Sequence, residues 1–460
     1  MNKILTTIII LSFSQMLYSQ YRFTLPLAID YAVENSNAMR KERLNVLDAE
    51  ERVKEFKSFG MPQLDAGINY SHYFLRPSQP TEDFLTPAVF GILNQFVFDE
   101  PIDPGEPETF NFSFVRKNNL TGFLDFRALL FDGVFFEGLK AAKVSVDLER
   151  ERSKLTKRDI AIQVTQSYLG VLIAVENQSI IEKNKVTIEN LLFETTETYK
   201  AGFAESLDVA RLKLTLENLR AEEETLSQLI ALSKDVLKFQ MNYPLEEDII
   251  LLDNLDVMLD AIQLSSNLYL TEETLEYDNR PEIQVLEKSI ELDGYDIKRL
   301  GLRWPVLKGN INLQESLQRD KIFNANEAGF IAGGYVGLSL NYSILDGKER
   351  SSMQQRSKIR KEKKFFDLQD FKRAMFLQAN NAQNSLISKK KALENRKNIL
   401  ELTEQIYEKT NIKFKEGVGS SVEVSQAESV LYDAQSNYIR AMYDVILAKT
   451  DLDIALGNIK

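Results

Sequence analysis

A chain of 460 residues with no cysteine can neither form disulfides nor use a thiol in catalysis. Its formal net charge of -12 argues against nucleic acid as a partner, because phosphate binding needs a basic surface. Its single histidine, His72, leaves no set of residues for a catalytic triad or a histidine-rich metal site. We therefore expect no enzymatic activity, no metal and no other cofactor.

The first twenty residues have the composition of a secretory signal peptide. Lys3 is their only charge, residues 4–17 are mostly apolar, and Ser19 and Gln20 follow. We expect residues 1–20 to be removed from the mature protein. No later stretch reaches the roughly 18 to 20 uncharged apolar residues of a transmembrane helix. An exported chain of this kind is either soluble or contributes strands to a membrane barrel.

Gaps in the distribution of glycine and proline predict long helices. Proline is absent from residues 108–243 and 306–460, and residues 348–416 contain neither glycine nor proline. Good helix formers with apolar residues at helical spacing fill these stretches. The predicted helices cover residues 28–60, 134–199, 206–242, 274–303, 348–413 and 421–456. The two longest would each extend about 100 Å at 1.5 Å per residue, which suits antiparallel coiled-coil struts or a long tube.

Glycines mark the ends of both long helices. Gly202 and Gly417 suit the left-handed position that closes a helix, and Ser206 and Ser421 are placed to cap the next one. We expect the chain to reverse direction at each of these two turns.

Four segments alternate apolar and polar residues, which is typical of β-strands. They are residues 64–70, 124–130, 307–313 and 338–344. The length and the two-sided pattern suit strands of a transmembrane barrel, while a soluble antiparallel sheet covering a core is the alternative. Aromatic residues gather at the ends of these segments, with Tyr70 and Phe74 at one end and Phe131 and Trp304 at the other. This placement favours the membrane, since barrels carry aromatic belts at both interfaces.

The segment between the first two strands, residues 75–119, holds seven acids, three bases and six prolines. This composition predicts an exposed, irregular loop. We expect it to be extracellular. A role in binding a ligand, as in an adhesin or receptor, has no support beyond its length.

Three motifs recur in the same order and predict an internal duplication. Residues 199–209 are similar to 414–424, 130–133 to 344–347, and 61–64 to 304–307. We therefore expect a first repeat over residues 21–243, an equatorial linker over 244–273 and a second repeat over 274–460. Four strands cannot close a barrel, because open edges leave backbone groups unpaired in lipid. Two copies would give eight strands and three would give twelve.

These features together make the chain resemble the TolC-like outer-membrane efflux proteins. The resemblance also rests on residues 23–29 (FTLPLAI), 280–283 (RPEI) and 453–457 (DIALG). It implies an α+β membrane protein: an internally duplicated chain with four transmembrane strands, joined as a homotrimer into a twelve-stranded barrel, with long antiparallel helices forming a periplasmic tunnel. It also implies that the protein lies in the outer membrane of a Gram-negative bacterium. Its partners would be a periplasmic adaptor and an inner-membrane transporter, and it would export solutes or proteins without catalysing a reaction.

The resemblance assigns roles to residues at the two turns. Asp208 and Glu423, six residues after each glycine, match an acidic ring that attracts cations, and Phe414 matches a pore-closing aromatic residue. The two carboxylates also suit a plain helix N-terminus. Three departures from the family indicate that the latch contacts differ: Gln426, Gly419, and Phe414 in place of the usual Tyr. The turn residues match tips that dock the adaptor, although a simple tight turn has the same composition: Gly202, Phe203, Gly417 and Val418.

A coiled-coil structural or surface-binding protein of the cell envelope is the alternative function. The residues favour no cargo among drugs, metal ions and proteins.

Overall fold

The computed structural model describes residues 21–458 apart from 84, 98, 104, 107, 114, 264–276, 278–279, 303 and 322–328. The predicted signal peptide, residues 1–20, lies outside this part of the chain. The described helices are α1 (Leu25–Asn35), α2 (Asn37–Ser58), α3 (Leu85–Phe96), α4 (Gly133–Lys200), α5 (Ser206–Met241), α6 (Leu255–Gln263), α7 (Pro281–Gly301), α8 (Glu349–Lys415) and α9 (Ser421–Leu456). The strands are β1 (Tyr21–Phe23), β2 (Gln63–His72), β3 (Gln79–Glu82), β4 (Thr109–Phe112), β5 (Asn118–Phe131), β6 (Ile249–Leu251), β7 (Val306–Arg319) and β8 (Phe330–Asn341).

The four longest helices agree with their predicted bounds to within two residues. The prediction of one helix over 28–60 is wrong, because the chain is helical in α1 and α2 and extended at Ser36, with φ -60° and ψ 141°. Asn35, Ser36 and Asn37 have side chains that compete with the backbone for hydrogen bonds, which favours helix ends over helix interiors. Ser36 accepts a hydrogen bond from the Met39 amide at 3.3 Å and so begins α2.

Two compact units make up the described chain. One draws on the described residues within 21–50, 144–293 and 359–458, and the other on those within 51–143 and 294–358. Each unit therefore takes segments from both predicted repeats. The duplication itself stays a prediction from the sequence.

The first unit is helical and has one main core. Fully buried side chains of α4, including Val164, Tyr168 and Leu169, belong to the same cluster as Val445 and Ile446 of α9. A small parallel pair, β1 with β6, adds to this unit. The Tyr168 hydroxyl donates to the carbonyl of Phe23 at 2.9 Å, which satisfies a buried polar group and fixes β1 against α4.

The second unit contains an antiparallel sheet in the order β2-β5-β7-β8. All four predicted barrel segments are therefore strands of one sheet, although β8 ends at Asn341, three residues before the predicted end. Within the described residues, β2 and β8 each pair along one side alone, so both edges of the sheet are open.

The register places one kind of side chain on each face of this sheet, because successive side chains alternate between faces. One face is mostly polar and carries Asp65, Asn69, Thr121, Asp125, Arg127, Asn310, Asn312, Gln314 and Ser316. The opposite face is mostly apolar and exposed, and carries Leu64, Ile68, Leu120, Leu124, Ile311, Leu313, Val336 and Leu338. On the polar face the Arg127 guanidinium donates to Asp65 and lies 3.2 Å from an Asp125 carboxylate oxygen.

The expectation of an irregular loop at residues 75–119 is wrong. This segment contains the helix α3 and the antiparallel pair of β3 and β4. Asp83 begins the helix by accepting hydrogen bonds from the amides of Leu85 and Thr86, both at 3.0 Å. Pro87 lies in the first helical turn, where no backbone N–H is required, so it does not prevent the helix.

Among the described residues no helix is both long enough and apolar enough to cross a membrane. The combination of long antiparallel helices with a four-stranded sheet confirms the predicted α+β class.

Candidate functional site

The two turns that join the longest helices to their successors have the same backbone geometry. Gly202 and Gly417 adopt φ values of +83° and +78°, which confirms the predicted left-handed positions. The next amide, of Phe203 or Val418, donates to the carbonyl five residues earlier, at 2.9 and 3.0 Å. Glycine avoids the strain that a side chain would meet at this φ, so the sequence closes each helix at a fixed point.

The helices that leave these turns begin at the predicted residues, but their caps lie one residue earlier than predicted. Glu205 and Ser420 are the N-terminal caps, so the assignment of Ser206 and Ser421 as caps is wrong. Ser420 accepts from the Glu423 amide at 3.3 Å. Glu205 and Asp208 form a reciprocal capping box, in which the Glu205 amide donates to the Asp208 carboxylate at 3.3 Å.

Asp208 also joins the two turns to each other. The Ser421 hydroxyl donates to the Asp208 carboxylate, and Arg211 lies 3.5 Å from the same hydroxyl. One helical turn further along, the hydroxyls of Thr215 and Ser425 lie 3.3 Å apart. Ser421 is therefore a bridging residue rather than a cap, and its carboxylate partner is one of the two predicted ring acids.

The other predicted ring acid has a different environment. Glu423 lies on the first turn of α9 and its side chain is exposed. The predicted docking residues Phe203 and Val418 are 85% and 78% exposed, so two apolar side chains at the turns face solvent in the protomer. Exposed apolar residues at a helical tip suit contact with another protein.

Phe414 is half-buried rather than fully exposed. It packs against a small apolar cluster of Leu191, Leu212 and Val424, one residue from each of three helices. The adjacent Lys415 forms an ion pair with Glu194 at 2.7 Å. An open cavity of about 1020 Å³ lies between the two turns, and its lining includes Thr195, Phe203, Asp208, Arg211, Phe414 and Gly417. The structure thus brings Asp208, Phe414 and both glycines to one place.

A buried polar cluster close to the second turn was missed by the sequence analysis. Glu428 is 6% exposed, and burial raises the pKa of its carboxyl to about 8. The Glu428 Oε2, Tyr407 hydroxyl and Asn411 Oδ1 atoms are buried and have no hydrogen-bond partner in the described part of the chain. Burial, and secondarily the Glu428 charge, raises the pKa of Tyr407 to about 12. The signal was available in the sequence, because Glu428 lies on the apolar face of α9 between Val424 and Leu431.

The predicted interface aromatics fall into two groups. Phe131 and Trp304 stack at 5.4 Å between ring centroids. Gly133 lets the indole approach, since an added Cβ would lie 2.6 Å from the Trp304 ring. Phe74 is almost fully exposed, and the Tyr70 hydroxyl donates to Asn118 at 2.8 Å. Aromatic side chains thus lie at both ends of the sheet, as the sequence predicts.

Comparison with known proteins matches part of the chain to a family. Residues 307–458 match the family model described as outer membrane efflux protein. This segment of the chain is therefore similar to an outer membrane efflux protein domain. This domain includes β7, β8, the second helical turn and both Phe414 and Glu423. No curated protein matches the sequence.

The similarity to solved structures covers nearly the whole chain. VceC from Vibrio cholerae is 13% identical, with 94% of this chain and 96% of that chain covered and a TM-score of 0.65. CusC is 14% identical, with coverage of 94% and 91% and a TM-score of 0.69. The open state of MtrE from Neisseria gonorrhoeae is 16% identical, with coverage of 94% and 88% and a TM-score of 0.67. The family resemblance and the fold class predicted from the sequence are confirmed.

Proposed function

We propose that this chain is the outer-membrane exit duct of a tripartite efflux or type I secretion system in a Gram-negative bacterium. It acts as a homotrimer, passes solutes or proteins outward, and catalyses no reaction. The observation that carries the proposal is the four-stranded sheet, with an exposed apolar face, a polar face and two open edges. The outer membrane efflux protein domain supports the same assignment.

The sheet explains why the proposed duct needs several copies. Unpaired backbone groups at the edges of β2 and β8 would each cost several kcal/mol in lipid. Pairing the β2 edge of one copy with the β8 edge of the next removes both edges at once. Three copies give a twelve-stranded closed wall that leaves room for a water-filled lumen, whereas eight strands leave space for little more than side chains. The apolar face then contacts outer-membrane lipid and the polar face lines the lumen.

The helical turns supply the proposed gate and the proposed docking surface. Around a threefold axis, Asp208 and Glu423 would contribute six carboxylates to a ring that favours cations. Phe203 and Val418 are placed to contact a periplasmic adaptor, and an inner-membrane transporter would complete the system. Phe414 acts in this proposal through packing against Leu191 and Val424, so its movement would accompany separation of the helices at the turn.

The oligomer is tested first. Purified mature protein should require detergent, and native mass spectrometry should give three times the protomer mass. A protein that stays monomeric in buffer without detergent would reject the duct and favour a coiled-coil structural protein. Loss of the gene should also sensitise cells to exported compounds.

The ring is tested by conductance of the protein in planar bilayers. Replacing Glu423 by Gln, alone and together with Asp208→Asn, should lower the cation-to-anion permeability ratio. The single Glu423→Gln variant leaves the link between Asp208 and Ser421 intact, so its effect reports charge rather than folding. Glu246→Gln, which removes an exposed acid outside the turns, is the matched control. Equal selectivity in all four proteins would reject the ring while leaving the duct untouched.

A further inference from the structure

The segment that joins β2 to β5 carries charge of one sign. Residues 77–115 contain seven acids and neither lysine nor arginine. Two arginines flank the segment, and both form ion pairs with Asp320: Arg76 at 3.3 Å and Arg116 at 2.9 Å. The Lys117 backbone amide donates to the same carboxylate at 3.2 Å. The acids of the segment are therefore not neutralised by its own flanks.

The same segment exposes an apolar helical stripe. Leu85, Val89, Ile92 and Phe96 follow one another at spacings of four, three and four residues, which places them on one face of α3. Their side chains are between 48% and 75% exposed, and no residue of this helix is buried. Four large apolar side chains next to one another on an exposed helix face are a recognised sign of a binding surface.

Acidic groups follow the C-terminal end of this helix. Asn94, on the face of α3 opposite the stripe, exchanges two hydrogen bonds with the backbone of Ile102, both at 2.8 Å, and so holds the chain that follows α3 against that face. That chain contains Asp99, Glu100 and Asp103. Acids at a helix C-terminus add to the negative end of the helix dipole instead of opposing it. The C-terminal end of the stripe therefore lies near the negative end of the helix dipole and the acids that follow it.

The charge decides which occupant fits. A second copy docked on α3 would bring another seven acids to the stripe, and like charges oppose that contact. The trimer proposed above forms through the edges of the sheet instead. An anionic lipid surface would be repelled for the same reason. A cationic partner gains both from burial of the stripe and from the acids that follow it. We propose that α3 and the acids that follow it form a docking surface for a basic amphipathic polypeptide, one that presents apolar side chains flanked by lysine or arginine.

This surface is independent of the proposed export function, since its apolar stripe and its charge belong to the isolated protomer. The test uses the purified full-length protein in detergent and a fluorescent helical peptide with a leucine stripe and flanking lysines. The same peptide with glutamate in place of lysine is the charge control. Fluorescence anisotropy should show binding of the lysine peptide, with an affinity that falls as salt is raised, and no binding of the glutamate peptide.

Two sets of variants locate the surface. Val89→Ser with Ile92→Ser should weaken binding at least about tenfold, as expected for the apolar centre of an interface. Leu232→Ser is the matched control, because Leu232 is an equally exposed apolar residue on α5. Asp99→Asn with Glu100→Gln keeps the stripe and should reduce the salt dependence.

Equal binding of both peptides, or equal affinity of the stripe variant and Leu232→Ser, would overturn the proposal. So would self-association of the purified protein that Ile92→Ser disperses, since that result assigns the stripe to a second copy. Partition onto vesicles of anionic lipid that requires the stripe would assign it to a membrane and would overturn the proposal equally.

Discussion

The buried carboxyl of Glu428 makes the stability of the second helical turn depend on pH. Replacing Glu428 by Gln keeps the shape of the neutral side chain and removes its ionisation. The folded chain binds the Glu428 proton more tightly than the unfolded chain, because the pKa rises from its ordinary value of 4.5 to about 8 on burial. The contribution to stability is therefore fully present below pH 4.5 and is lost as the pH rises towards 8.

The magnitude follows from the same two pKa values. Each tenfold change in proton affinity corresponds to about 1.4 kcal/mol, so the wild-type protein loses up to about 5 kcal/mol relative to the Gln variant across this range. The measured loss will be smaller where the helices open locally and water reaches the carboxylate. Hydrogen exchange of peptides covering residues 405–430 reports that opening. Comparing the two proteins at the same pH cancels the intrinsic pH dependence of exchange.

The wild-type protein and Glu428→Gln should exchange at similar rates at pH 5, where less than about 1 kcal/mol of the difference has developed. At pH 8.5 the wild-type amides should exchange at least about tenfold faster, since ionised Glu428 has no buried partner. Glu423→Gln is the control, because Glu423 is exposed on the same helix and its loss should leave the ratio of rates unchanged. If the ratio for Glu428→Gln were the same at pH 5 and pH 8.5, the assignment of a buried neutral carboxyl would be wrong.

Three further substitutions test the packing of the helices. Asp293→Ala should destabilise the helical unit by about 1 to 3 kcal/mol in chemical denaturation, because buried Asp293 forms ion pairs with Arg360 at 2.5 Å and Lys364 at 2.7 Å, and the substitution removes the carboxylate that they share; an effect below about 0.5 kcal/mol would contradict this. Gly417→Ala should cost about 1 kcal/mol and speed exchange at the turn, since φ is +78° there. Ser421→Ala removes the hydroxyl that bridges to Asp208. It should lower the free energy of local opening on both sides of the link by about 1 to 3 kcal/mol, which hydrogen exchange measures. Unchanged exchange on the Asp208 side would show that the bridge does not couple the turns.

The sequence predicts the long helices well because their limits depend on single residues. Gly202 and Gly417 need a backbone conformation that other residues avoid, and the stretches before them contain no breaker. The strands were found for a similar reason, since alternation of residues such as Leu64 and Asp65 is visible without knowledge of the partner strand.

The errors arise where one local signal hides another. Six prolines predicted an irregular structure for residues 75–119. Pro87, however, lies in the first turn of a helix, which tolerates proline, and Asp83 caps that helix. At Ser36 the break depends on a hydrogen bond to the next helix, which spacing alone does not reveal.

Contacts between distant parts of the chain lie beyond such reasoning. The bridge from Asp208 to Ser421 joins residues 213 positions apart, and the meeting of Glu428 with Tyr407 depends on how two helices pack. Position in the sequence identified Asp208 as an acid at a turn, while its partner became visible once both turns were placed.

The open edges of the four-stranded sheet have a genetic consequence. If three chains must pair edge to edge, one chain with a damaged β8 edge prevents closure of every trimer that contains it. When normal and damaged chains are made in equal amounts, about one assembly in eight contains normal chains alone. A defect in β8 should therefore behave as dominant, whereas a deletion of the whole gene should be recessive.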